Sequence, residues 1–191
     1  MTIKIPIEIS ARHIHLSQKD LEELFGIDYK LKKFKDLSQF GEFAAEEKVS
    51  IKNDLKKIEN VRIIGPARKE TQVEISHSDA VFLKMNPPVR ISGDIENSPG
   101  ITLIGPEKEI TIKKGVIVPM RHIHCNSKEA KELNLNENSM VSVKTNSIKP
   151  VTFHDIPIKI KDIYKLSLHL DVDEGNSAGI IKNGEGTIID D

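Results

Sequence analysis

Apolar residues in this chain recur mostly in short alternating or continuous runs of Ile, Val and Leu, and seldom at helical spacing. Such runs occupy Ile3–Ile9, Lys48–Lys52, Val61–Ile64, Gln72–Ser76, Ile101–Ile104, Ile110–Lys113, Val116–Pro119, Val141–Lys144, Ile156–Ile160 and Lys165–Leu170. Turn signals ("GP", "NSPG", "KKG", "KNG") punctuate them, so the pattern predicts many short strands. Helix signals are fewer. "SQKDLEELFG" has Ser17 as cap, Asp20 three residues on, apolar Leu21 and Leu24, and Gly26 as stop. "NSKEAKELNL" repeats that logic, with Ser127 capping before Ala130 and Leu133, and "HSDAVFLKM" predicts a short third helix. The expected class is mainly β (α+β).

Part of the pattern occurs twice. Arg12, His13 and His15 in "SARHIHLS" match Arg121, His122 and His124 in "PMRHIHCN", 109 positions later. The capped helices follow in the same frame, Asp20 against Glu129, Glu23 against Glu132 and Leu24 against Leu133. "KVSIKN" then resembles "MVSVKT", and "QVEISHSDA" can be laid over "SLHLDVDEG", which sets Glu74 opposite His169. Each half reads as a strand, Arg-His-x-His, a capped helix, more strands, and one further candidate ligand in a strand. An internal duplication into two pseudo-symmetric lobes follows. Strand-rich repeats of this size hide their edges by closing as small barrels or sandwiches.

Alternate strand residues share a face, so an HxH pair sends two imidazoles the same way. A third ligand from a neighbouring strand leaves one coordination position open, the pattern of catalytic rather than structural zinc. The candidate sets are His13, His15 and Glu74, and His122, His124 and His169. One HxH is commonly incidental; two in matching contexts are not. His77 and His154 lack this company and read as surface or capping residues. Cys125 reads as packing, with an auxiliary thiolate ligand as the other option. Arg68 follows a Gly-Pro turn six residues before Glu74, and a chain doubling back there would bring a guanidinium, a bidentate receptor for phosphate, near the metal. "NPPVRISGD" offers Arg90 and Ser92 as further anion-binding candidates, with Gly93 allowing close backbone approach. Arg12 and Arg121 read as braces of the HxH strands, pairing with carboxylates such as Asp171 or Asp173.

Composition narrows the field. Trp is absent and aromatics make up 4%, so the core rests on aliphatic residues, mostly in strands. The chain's 191 residues suit one domain or two small ones. With 28 basic against 29 acidic residues, and Lys-rich runs interleaved with acids and apolar residues, no nucleic-acid partner is expected. One cysteine excludes an intrachain disulfide framework and a CxxC motif. No stretch reads as a signal peptide or a membrane span, so a cytoplasmic protein with no membrane partner is expected.

Taken in order, "SARHIHLS", "FKDLSQFGEFAAEEKV", "VRIIGPARKETQVEIS", "PPVRISGD", "NSPGITLIGP", "GVIVPMRHIHC" and "LHLDVDEGN" resemble the PduL-type phosphate propanoyltransferase family, which are phosphotransacylases. The resemblance runs from about Ile5 to Asn176. It implies reversible conversion of a short-chain acyl-CoA (acetyl- or propanoyl-CoA) and phosphate into acyl phosphate and coenzyme A. It implies two zinc ions per chain between two β-barrels, one held by His13, His15 and Glu74 and the other by His122, His124 and His169. Arg68 falls on the family's phosphate-handling arginine. One barrel would take residues 2–11 and 120–189 and the other 12–25 and 47–119, with 26–46 as a helical connector. The chain departs from the family's usual pattern at Cys125, where Met is common, at Gly175 of "DEGN", and in "FLKMNPPVR". It starts close to the first strand, without the N-terminal extension that targets relatives to microcompartments, so a free enzyme is expected; homo-oligomerisation is left open. Two readings of other classes stand beside this one: a cupin-like mononuclear metal enzyme, and a non-catalytic metal-binding module. A cupin expects a Glu in the strand after HxH, where this chain has a capped helix.

Overall fold

The computed structural model describes residues 3–137 and 139–189; residues 2 and 138 of the first expected barrel range lie outside them. In chain order, β1 (Ile3–Ser10) and β2 (His13–His15) precede α1 (Gln18–Phe25). Strands β3 (Lys33–Asp36), β4 (Phe43–Asn53), β5 (Lys56–Gly65) and β6 (Gln72–Glu74) lead to α2 (His77–Phe82). Then β7 (Val89–Arg90), β8 (Ile101–Ile104), β9 (Glu109–Ile112), β10 (Val116–Pro119) and β11 (His122–Cys125) lead to α3 (Ser127–Glu132). Last come β12 (Met140–Thr145), β13 (Thr152–Ile160), β14 (Ser167–Asp171), α4 (Val172–Ser177) and β15 (Asn183–Ile189). The chain is mostly strand, as its aliphatic alternation requires.

The chain divides into two contact-dense units. One combines the segment up to Ala11 with the segment from Met120 on; the other is Arg12–Pro119. The first is a closed barrel in the order β1-β14-β11-β13-β12-β15, closed by the antiparallel β1·β15 pair. Its interior holds Ile5, Ile7, Ile123, Cys125, Val143, Ile156, Leu168 and Leu170. The second is a nine-stranded sheet in the order β7-β10-β6-β2-β5-β4-β8-β9, with β3 on β4. Its core includes Ile14, Leu16, Leu21, Leu24, Ile51, Ile63, Val73 and Leu103.

The duplication is visible strand by strand. The run β10-β6-β2-β5-β4-β8 repeats β1-β14-β11-β13-β12-β15, and every neighbouring pair is parallel or antiparallel in the same sequence. The closing pair differs. Where β1 and β15 pair over six positions, β10 meets the approach to β8 through the bond from Val116 N to the Pro99 carbonyl. Proline has no N–H to return, so a ladder cannot start there, and this copy is a half-barrel.

Several local expectations are corrected. The stretch 26–46 contains no helix: Lys33–Asp36 pairs antiparallel with the start of β4, and the whole stretch belongs to the Arg12–Pro119 unit. Its Lys, Phe and Asp residues show no apolar helical stripe, whereas pairing with β4 satisfies the backbone. Helix α3 is capped by Asn126, not Ser127; the Asn126 side chain accepts from Glu129 N, and Ser127 Oγ donates to Asp162 instead. Helix α4 was not expected, because Gly175 and Asn176 are weak helix formers. A capping box between Asp171 and Glu174 starts it, and a Cβ on Gly175 would lie 2.6 Å from Ile9 Cδ1, so glycine permits the packing. Strand β15 is not predicted by the apolar pattern, because its Gly184 and Gly186 weaken that pattern.

A Cβ added to Gly100 would lie 1.9 Å from the Ile112 carbonyl oxygen, a backbone atom that cannot swing aside. Gly100→Ala is therefore expected to destabilise the Arg12–Pro119 unit by about 2 kcal/mol or more, read as a lower urea midpoint. An unchanged midpoint would show that the β8–β9 hairpin shifts freely.

Candidate active site

In the Arg12–Pro119 unit, β2 lies between β5 and β6, and its antiparallel register with β6 sets His13 directly opposite Glu74 and His15 opposite Gln72. The ligand atoms of His13, His15 and Glu74 all lie within 4.8 Å of one another, with His13 Nε2 3.5 Å from Glu74 Oε2. Burial holds the His15 imidazole well below its usual pKa, helped by electrostatic interaction with His13 and Arg68 and opposed by a backbone hydrogen bond at Ile64. It is therefore neutral near pH 7, as a metal ligand must be. Gln72 Nε2 donates to Glu74 Oε1 at 2.6 Å, leaving Oε2 on the histidine side. Outer hydrogen bonds of this kind fix the orientation of a ligating carboxylate.

Arg68 joins this group. Its backbone N donates to the Leu16 carbonyl, beside β2, and one guanidinium nitrogen donates to Ser92 Oγ at 3.2 Å. Ser92 Oγ also accepts from Gln72 Nε2 at 3.0 Å, and Gly93 N donates to Gln72 Oε1 at 2.8 Å. A chain of polar contacts thus runs from Arg68 through Ser92 and Gln72 to Glu74. The other guanidinium nitrogen meets Glu42 Oε1 at 3.2 Å. Arg90 is not joined to this chain; its contacts are Asp94 and the Val89 carbonyl.

In the barrel, β11 and β14 repeat the arrangement, with His122 opposite His169 and His124 opposite Ser167. The three rings cluster with centroids 4.5 to 5.3 Å apart. His122 Nδ1 bonds the Met120 carbonyl, which leaves Nε2 as its ligating atom. His124 Nδ1 is buried with no hydrogen-bond partner, and its ring stacks on Tyr164 at 3.8 Å. That orphaned nitrogen lies amid two other histidines, but among the described residues only His13, His15 and Glu74 bring three ligand atoms within reach of one ion. Ser167 Oγ lies 2.9 Å from His169 Nε2 and so holds the third residue here as Gln72 does in the other unit. Burial first, then the neighbouring Lys159 and His169, lower His122 to about 3; burial and the neighbouring histidines and lysines lower His124 to about 2.

Both braces are present with partners other than Asp171 or Asp173. Arg12 grips Asp79 with two contacts of 2.7 Å, and Arg121 meets Glu174 at 2.7 Å. Asp79 and Glu174 are the third residues of α2 and α4, where each also completes a capping box. Cys125 is fully buried in the barrel core, where desolvation raises its thiol pKa. His77 opens α2, and His154 Nδ1 lies 2.8 Å from Ser142 Oγ. Gln72, Glu42, Tyr164, Asp79 and Glu174 were not foreseen; Gln72 had a signal, two residues before Glu74 on the same strand face.

Residues 6–181 match the phosphate propanoyltransferase family. The chain belongs to that family, whose members are acyltransferases. It is 46% identical to a phosphate propanoyltransferase of Thermotoga maritima over 175 residues, 91% of this chain and 83% of that protein. Proteins of the same name from Sebaldella termitidis and Clostridioides difficile are 42% and 40% identical, over 95% and 97% of this chain and 86% and 88% of theirs. Among the described residues no helix is long and apolar enough to cross a membrane.

The depressed histidines of this phosphate propanoyltransferase-family chain set a pH dependence. Unfolded, they take up protons near pH 6.5; folded, His122 resists to about 3 and His124 to about 2. Stability is therefore intact above about pH 6.5 and is lost as pH falls toward the folded values, by up to about 1.4 kcal/mol per pH unit for each histidine. Chelator-treated protein should show a falling urea midpoint between pH 6.5 and 5, above the main carboxylate range. A flat midpoint there would show the histidines to be protonated in the folded state.

Proposed function

We propose that the chain catalyses reversible transfer of a short acyl group, acetyl or propanoyl, between coenzyme A and phosphate, with two zinc ions per chain as cofactors. Hydrogenphosphate oxygen attacks the thioester carbonyl, a C–O bond forms, the C–S bond breaks, and the phosphate proton ends on the coenzyme A sulfur. Supporting this reading most directly is the run of contacts from Arg68 through Ser92 and Gln72 to Glu74, which ties a phosphate-sized anion receptor to a His-His-Glu donor set.

His13, His15 and Glu74 would hold one ion and His122, His124 and His169 the other. When bound, zinc supplies fixed positive charge that favours the phosphate and the departing thiolate. Arg68 binds phosphate through its guanidinium, and Ser92 keeps one arm of that guanidinium in place. Gln72 holds Glu74 in its ligating orientation. Arg90, two residues before Ser92, is an outer anion contact in this scheme. The reading includes a cytoplasmic enzyme, which suits its single, buried thiol.

The decisive measurement is phosphate-dependent thiol release from acetyl- or propanoyl-CoA, with bound metal counted on the same sample. Activity that chelator removes and zinc restores, with about two ions per chain, is expected. One ion per chain would favour a mononuclear enzyme, and metal uptake without thiol release a non-catalytic module. Arg68→Ala should raise the phosphate KM at least tenfold, in line with loss of a charge-assisted contact; a wild-type rate at limiting phosphate would remove Arg68 from the scheme.

A further inference from the structure

Glu42 is the last residue of the loop between β3 and β4, whose ends pair through Asp36 and Phe43. Two backbone bonds shape that loop, Leu37 N to the Glu42 carbonyl and Glu42 N to the Gln39 carbonyl, and Gly41 supplies the left-handed step at φ +84°. Glu42 is thus delivered to Arg68 by a defined turn, and its carboxylate takes the guanidinium arm that Ser92 leaves open.

We infer that Glu42 is an internal competitor for the phosphate site, a carboxylate that occupies Arg68 until substrate phosphate, or acyl phosphate in the reverse direction, displaces it. The inference rests on the proposed role of Arg68. The Glu42 contact is a single 3.2 Å approach between side chains 33% and 38% exposed, so it is a weak ion pair. A phosphate dianion offers more charge and bidentate geometry to the same fork, and therefore wins. Arg68 is held by its backbone bond to Leu16 and its contact with Ser92, whereas the Glu42 side chain borders solvent. The group that yields is Glu42. Its cost to phosphate is both the contact that must break and the like charge that stays near, so it weakens affinity for phosphate and acyl phosphate without touching the acyl-CoA thioester.

Glu42→Gln keeps the size of the side chain and removes its charge. In the metal-loaded protein the phosphate KM, from thiol release with propanoyl-CoA, should fall roughly two- to fivefold, the span expected for an exposed ion pair. The propanoyl-CoA KM should stay as in wild type. Thermal-shift titration with inorganic phosphate gives its dissociation constant without turnover, so it also serves the Arg68→Ala background, where the Glu42→Gln effect should vanish. If Arg68→Ala weakens phosphate while Glu42→Gln leaves its constant unchanged or raises it, the competition is wrong and the role of Arg68 stands. An equal gain from Glu42→Gln with and without Arg68 would also overturn it, since the charge would then act without the arginine. Phosphate binding untouched by Arg68→Ala would overturn both.

Discussion

Residues directly opposite each other in an antiparallel pair have Cα atoms about 4.5 to 5.5 Å apart, and this chain uses that relation to bring its donor groups together. His13 faces Glu74 across β2 and β6, and His122 faces His169 across β11 and β14. The next pairs in register are Ile14 with Val73 and Ile123 with Leu168, all four fully buried. A slip of one residue would turn those aliphatic side chains outward and the donors inward. The hydrophobic core therefore sets the register, and the register sets the distance from the first candidate ligand to the third.

A second layer of constraint comes from the helices that follow the third ligand. Asp79 and Glu174 each close a capping box and each take the arginine that precedes an HxH pair. One carboxylate thereby joins the strand carrying two donors to the helix beyond the strand carrying the third. Asp79 is buried, so removing its arginine would leave a desolvated charge without its partner. The same arrangement in both units is a consequence of duplication, since it depends on identical topology around β2 and β11.

Much of this was legible in the residues, because duplication leaves a local mark. Arg-His-Ile-His twice, with a capped helix after each copy, marks four candidate donors, and the overlay of "QVEISHSDA" on "SLHLDVDEG" adds two further candidates, which the strand register sets beside them. The same overlay sets Asp79 against Glu174, yet the sequence points equally to Asp171 and Asp173 as brace partners. Charge alone does not tell a capping carboxylate from a bridging one. Glu42 gave no signal, because its meeting with Arg68 joins two loops 26 residues apart through a turn set by backbone bonds. The expected helix over 26–46 failed for a related reason: Lys33–Asp36 is exposed at every position, so no apolar face announced a strand that exists by pairing with β4.

Divergence between the copies bears on the chemistry. The set in the Arg12–Pro119 unit includes a carboxylate, and Arg68 stands close enough to depress His15. The barrel set is three imidazoles, with Lys159 and Lys161 near enough to depress His124 further. A divalent ion on two imidazoles and a carboxylate keeps one net positive charge, while the same ion on three imidazoles keeps two. Under the proposed reading, the second site has the greater pull on an anion formed during reaction, such as a departing thiolate. The first has its charge partly met by Glu74 and relies on Arg68 to hold phosphate. Under that reading, two sites built on one register differ by a single ligand, and that ligand is enough to divide the work between them.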